Sequence, residues 1–171
     1  RGKTEDYSGK MFKEELETRG WEQYLGRLLK NEMANYIESD EDVIKLKQQK
    51  QVLVTGGAGF IGSELVRQLS ELKFKVIVFD NLTSGRKKYI ENIPNVKLVQ
   101  GDISNRKLVQ KVVKPADYII NLAALPFIPD SFFYPAEFFD VNTSGTINLV
   151  TACFKSKKLK KFVHQDNQMI F

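Results

Sequence analysis

The chain has 171 residues and a mass of 19.6 kDa; 42% apolar residues, with 12 Phe and 6 Tyr, can bury a core and exclude wholesale disorder. A single cysteine, Cys153, and a single histidine, His164, exclude an intramolecular disulfide, a cysteine-rich zinc site and any scheme needing two histidines. The net charge is +5, carried by residues 51–171, while residues 1–50 hold 10 basic and 11 acidic side chains.

The first 50 residues read as an amphipathic helical extension. A first helix is expected around residues 9–19 and a break at Gly20. Trp21, Tyr24, Leu25, Leu28, Leu29, Met33, Tyr36 and Ile37 then recur at steps of three and four, the mark of one buried helix face. Ser39 followed by Asp42 resembles a capping box for a short helix to about Lys47. From residue 51 to 171 short apolar runs alternate with helical stretches. Strands are predicted at Gln51–Thr55, Lys75–Phe79, Val96–Gln100, Asp117–Asn121 and from Lys161 to His164. Helices are predicted at Phe60–Leu72, Asn105–Val113 and Pro135–Phe154, the last with Val141, Ile147 and Val150 on one side. Val- and Ile-rich strands alternating with helices mean an α/β fold, a doubly wound parallel sheet.

The basic run Lys155, Lys157, Lys158, Lys160 and Lys161 falls where the last helix ends, and complements its dipole rather than marking a nucleic-acid site. No apolar run approaches the ~18 residues of a membrane helix, and no charged-then-apolar leader opens the chain. A soluble, reducing, cytoplasmic setting is expected, with neither nucleic acid nor membrane as partner. Since the first residue is Arg1, the chain is expected to be a piece of something longer.

The sharpest motif runs from Val54 to Gly62 (VTGGAGFIG), after a strand and at the head of a helix. Gly56 permits a tight turn, Gly59 admits a pyrophosphate close to the backbone, and Gly62 lets the helix pack tightly. Phosphates would lie at the helix N-terminus, where N–H groups and the dipole favour negative charge. No Lys-Ser/Thr follows the glycines, which disfavours a nucleoside-triphosphate loop. Asp80 closes the second strand 24 positions after Gly56. A carboxylate there accepts both ribose hydroxyls and repels a 2′-phosphate, so NAD is favoured over NADP, with Arg86 to Lys88 blunting the preference. The plainer alternative has Asp80 capping a turn with Asn81.

VTGGAGFIGSELVRQL, VIVFDNLTSGR, VQGDI, NLAAL, VNTSGTINLV and KKFVH, in that order, resemble the extended short-chain dehydrogenase/reductases, and among them the NAD-dependent nucleotide-sugar epimerases and dehydratases. The resemblance covers roughly residues 51–165. It implies a Rossmann sheet of about five strands in the order 3-2-1-4-5. It implies that Gly56, Gly59 and Gly62 cradle the pyrophosphate of NAD, with backbone donors at Phe60 and Ile61, and that Asp80, beside Asn81, holds the adenosine ribose. Asp102 and Ile103 would lie against the adenine. Leu122, Ala123 and Ala124 would floor the site near the nicotinamide ribose, and Asn142 would steady the central helix against the sheet. For Asp102 a helix N-cap is the alternative, a role Ser104 fills equally well.

The sequence also departs from the family. Its Ser/Thr after the fifth strand is absent from Gln165–Phe171, and Phe171 stands where a tyrosine is expected. None of Tyr7, Tyr24, Tyr36, Tyr89, Tyr118 and Tyr134 has a Lys four residues on, so the catalytic Tyr-x-x-x-Lys is missing. His164, near the expected site, reads as a satisfied or exposed strand-end residue. The expectation is the NAD-binding portion of a UDP- or dTDP-sugar 4-epimerase or 4,6-dehydratase. It would be inactive alone, taking a nucleotide sugar only if a C-terminal part is supplied. The alternative is a non-catalytic NAD-binding module whose N-terminal helices dock a partner or cover an exposed sheet edge. A homodimer through the helix at residues 135–154 is expected. Pro126, Phe127, Pro129, Phe132, Phe133 and Tyr134 either pack locally or shape a sugar pocket.

Overall fold

The computed structural model describes residues 49–165, apart from Pro126 and the side chain of Ile128. The expected helices before Lys47, and the stretch from Asp166 to Phe171, lie outside the described residues. Five parallel strands form one sheet in the order β3-β2-β1-β4-β5, where β1 is Gln51–Thr55, β2 Lys75–Asp80, β3 Val96–Gln100, β4 Tyr118–Asn121 and β5 Lys161–His164. Val52 sits opposite Val76 on one side and Tyr118 on the other, and Asn121 opposite His164. The central strands are buried on both faces, so their apolar runs are continuous rather than alternating.

Pleating sends alternate residues to opposite helix layers. Leu53, Ile77, Phe79 and Ile119 join Val109, Val112 and Val113 of α2 (Arg106–Val113) in one apolar cluster. Leu149 and Ala152 of α5 (Thr146–Lys155) complete it. Val52, Val54, Val76 and Val78 lie outside that cluster and are fully buried, as are Val66 and Leu69 of α1 (Phe60–Glu71), which packs against β1 and β2. Cys153 packs at the edge of the cluster, and burial pushes its thiol up to about 11, so it stays protonated.

Three local readings change. Residues Ile128–Phe133, for which no helix is predicted, form the short helix α3, with Pro129 in its first turn. The long helix expected from Pro135 is interrupted: α4 (Pro135–Phe138) passes through a π-helical stretch, Phe139–Gly145, before α5 begins. The wider turn shifts the helical phase. As a result Gly145, Leu149 and Ala152 face the core while Ile147 is 59% exposed, so Val141, Ile147 and Val150 do not share a buried side. Asn105, not Asp102 or Ser104, caps α2: its side chain accepts from the Leu108 N–H at 3.2 Å.

The basic run is partly structural. Lys158 Nζ lies 3.1 Å from the buried Asp117 carboxylate and donates to the Pro115 carbonyl at 2.8 Å, pinning the turn before β5 to the turn before β4. Asp117 also accepts the Gln51 N–H at 2.9 Å, so the buried charge is paired. No helix among the described residues is long and apolar enough to cross a membrane.

Candidate functional site

In an open parallel sheet the loops at the C-terminal strand ends part where the strand order reverses, here between β1 and β4. A cleft opens there, with Gly56 from the turn after β1, Asp80 and Asn81 from β2, and Asp102 and Ile103 from the turn after β3. Leu122, Ala123 and Ala124 after β4 form its floor.

The glycine turn is built by close approach. Gly56 has φ +68°, and a side chain there would lie 2.8 Å from the Leu122 carbonyl carbon and the Ala123 nitrogen. A methyl group on Gly62 would sit 2.2 Å from the Gly56 oxygen, so the missing side chain lets α1 settle on the turn itself. Gly59 stands at the N-cap of α1 with no side-chain cap, and the first turn holds no acidic residue. Phe60 is 56% exposed and Ile61 40% exposed at that helix end. An uncapped, acid-free helix start presents its N–H groups and positive dipole end to an anion.

Asp80 takes the turn-closing role and a second structural one. Its Oδ1 accepts the Leu82 N–H at 2.8 Å and closes a turn, while its Oδ2 accepts the Ala58 N–H at 2.9 Å and ties β2 to the glycine turn. An ionised carboxylate has about four acceptor positions, so two remain for other donors. Arg86 donates its N–H to the Ala58 oxygen at 2.8 Å, and Gly85 has no Cβ to strike Asp80, so the loop after β2 closes over the turn. Asn81 Nδ2 donates to Asp102 Oδ2 at 2.7 Å, and the Ser104 N–H to Asp102 Oδ1 at 2.8 Å. Burial raises the Asp102 carboxyl, but hydrogen bonds from the Ser104 backbone, the Asn81 side chain and the Ser104 side chain outweigh it and hold it below the usual carboxylate value.

Asn142 lies in the π-helical stretch. Its side chain accepts the Leu125 N–H at 2.8 Å and donates to the Leu125 oxygen at 3.1 Å, clamping the loop after β4. The bonds it makes steady the loop after β4.

These features fit a dinucleotide: glycines for the pyrophosphate, a fastened carboxylate for ribose hydroxyls, and an apolar floor. Gly59, Phe60, Ile61 and Gly62 stand at the head of α1 and Asn142 in the π-helical stretch, outside the residues that line the cleft. The sequence reading missed Thr83, Ser84, Gly101, Leu125, Val141 and Phe79, which also line the cleft. Turn composition in Asn81–Gly85 carried a signal for the first two; the others depend on how the chain folds back.

A polar web beneath the floor was also missed. Asn121, fully buried, takes the Thr55 hydroxyl on Oδ1, and its Nδ2 lies 3.0 Å from His164 Nδ1 and 3.4 Å from Thr146 Oγ1. His164 is exposed at the end of β5, as a satisfied strand-end histidine. Among the described residues no group of three or more His, Cys, Asp or Glu could hold a metal ion.

A profile of the NAD dependent epimerase/dehydratase family matches residues 52–165. The UDP-glucose 4-epimerase of Lactobacillus helveticus is 38% identical over 104 residues, covering 60% of this chain and 31% of that protein. The solved epimerase Mth375 of Methanothermobacter thermautotrophicus superposes with a TM-score of 0.66 at 32% identity, covering 72% of this chain and 37% of its own. The Bordetella bronchiseptica enzyme WbmF, solved in complex with NAD+, gives a TM-score of 0.63 at 34% identity, covering 68% and 36%. The chain spans about a third of the length of the curated relatives it matches first.

Proposed function

The chain belongs to the NAD dependent epimerase/dehydratase family, and from that premise we propose that residues 51–165 hold NAD for chemistry on a nucleotide sugar. The observation that carries this reading is the join between Asp80 and the glycine turn: Ala58 N–H on Asp80 Oδ2 at 2.9 Å, at the head of an uncapped helix. The backbone at Gly56, Gly59 and Gly62 cradles the pyrophosphate, with donors at Phe60 and Ile61, and Asp80 orients the adenosine ribose. Asn81 and Asp102, bonded to each other, flank the adenine with Ile103. Leu122, Ala123 and Ala124 exclude water below the nicotinamide ribose, and Asn142 holds that loop through Leu125. NAD, when bound, supplies reversible hydride transfer at a sugar carbon.

Proton transfer at the sugar hydroxyl needs a base, and no tyrosine of this sequence has a lysine four residues on. The 171 residues by themselves therefore bind NAD without turning over a UDP- or dTDP-sugar. Phe139, Ile147 and Phe154, exposed along residues 135–155, support association of two copies through this helical run.

Calorimetric titration of NAD into the purified chain tests the reading. Saturable binding is expected, weakened about tenfold or more by Asp80→Asn, which keeps the size, loses the charge and sets an NH2 against one of the two backbone N–H groups that Asp80 accepts. No binding by a folded chain overturns the cofactor reading, and turnover of a UDP-sugar overturns the inactivity.

A further inference from the structure

We propose that His164 is a positioning residue: it holds the cleft floor by accepting a hydrogen bond from the buried Asn121, and does so only as the neutral tautomer with its proton on Nε2. Its consequence for binding rests on the reading of the cleft as the NAD site.

The assignment follows from counting protons. Thr146 has one hydroxyl proton, donated to the Asn142 carbonyl at 2.8 Å. Toward Asn121 it can then only accept, so the amide atom facing it is the nitrogen. That same Nδ2 lies 3.0 Å from His164 Nδ1. An amide nitrogen donates and does not accept, so Nδ1 carries no proton and Nε2 must. On its other side Asn121 Oδ1 accepts the Thr55 hydroxyl, leaving Thr55 Oγ1 to accept the Ala123 N–H at 3.4 Å. Every donor in the web has one acceptor, and its direction is fixed.

The web grips the floor loop at both ends. Thr55 holds Ala123, and Asn142, the acceptor for Thr146, holds Leu125 by its N–H and its carbonyl. Thr55 and Asn121 are fully buried; His164 is exposed and is the one titratable member. Among the described residues, the groups bonded to or stacked on its ring are Asn121 on β4 and Phe162 on its own strand, at 6.4 Å; Thr146 of α5 joins through Asn121. All are uncharged, and among the described residues no ion pair reaches the ring. Asp166, two positions on, lies outside the described residues.

Protonation of Nδ1 sets N–H against N–H. Asn121 relieves this by turning its amide over, which presents Nδ2 to Thr55 and removes the acceptor for the Thr55 proton. The tie to Ala123 then weakens, and with it the floor of the cleft.

With one histidine in the chain, the ring signals of the ¹⁵N-labelled protein are unambiguous. Long-range proton–nitrogen correlation at pH 8 is expected to show Nδ1 bare and Nε2 protonated; a proton on Nδ1 overturns the assignment. On acidification the amide signals of Ala123 and Leu125 are expected to shift with the midpoint of the ring. Amides that do not follow it overturn the coupling, whether or not NAD binds. NAD affinity is expected to fall about tenfold from pH 8 to 5.5, and His164→Gln, whose amide oxygen accepts without titrating, to flatten that profile. An unchanged profile in the variant assigns the effect elsewhere and overturns the role of His164.

Discussion

Gly62 has no room for a methyl group: the nearest backbone oxygen, that of Gly56, would be 2.2 Å from it. Gly62→Ala must push α1 off the turn, and a loss of about 2–3 kcal/mol is expected in urea unfolding, in the range of overpacked sites. Asp102 gives a pH prediction with a definite sign. Its folded carboxyl sits below the ordinary 3.8, so it binds protons more weakly folded than unfolded. Its contribution is present above the ordinary value and lost as the pH falls through the folded one. Asp102→Asn should therefore reduce the pH dependence of stability below about pH 4 in an acid titration followed by circular dichroism. At this scale the glycines and Asp80 were legible because turn geometry and phosphate chemistry narrow the residue types. The tie of Asn81 to Asp102 was not, since it joins residues 21 apart that only strand pairing brings together.

Elements were read well wherever period and punctuation agreed. All five strands lie where the apolar runs predict them, because Val and Ile suit a sheet buried on both faces. Helix α2 starts one residue later than predicted, with Asn105 as its cap. Asn105→Ala removes the acceptor for the Leu108 N–H and should cost about 1 kcal/mol, read as a lower thermal midpoint. The run from Ile128 to Lys155 was read poorly. Periodicity assumes a constant turn, and the π-helical stretch at Phe139–Gly145 breaks that assumption. The register change puts Gly145 against Ile103, whose Cγ1 would be 2.5 Å from an added methyl group, and turns Ile147 outward.

Among the described residues, that outward face leaves large apolar side chains in solvent. Phe154 is 87% exposed, with Phe139 and Ile147 on the same helical run. If two copies associate there, a charge at its end opposes it: Phe154→Glu should shift a concentration-dependent sedimentation profile to the monomer without changing the thermal midpoint of a dilute sample. A wild-type chain that stays monomeric at high concentration would remove this proposal. Just past Phe154, the turns before β4 and β5 are tied together by Lys158 over Asp117.

Sequence alone determined the alternation of strand and helix, the strand order through its resemblance, the glycine turn and the acidic partner at Asp80. These depend on local pattern, on residues whose conformational or chemical range is narrow, and on their order along the chain. Tertiary structure alone decided that Asp80 fastens to Ala58, that Asn142 reaches Leu125, and that Thr55, Asn121, Thr146 and His164 share one hydrogen-bond web. Asn and Thr bond to almost any polar group, so their partners are set by which strand ends a parallel sheet brings side by side, and no spacing along the chain encodes that.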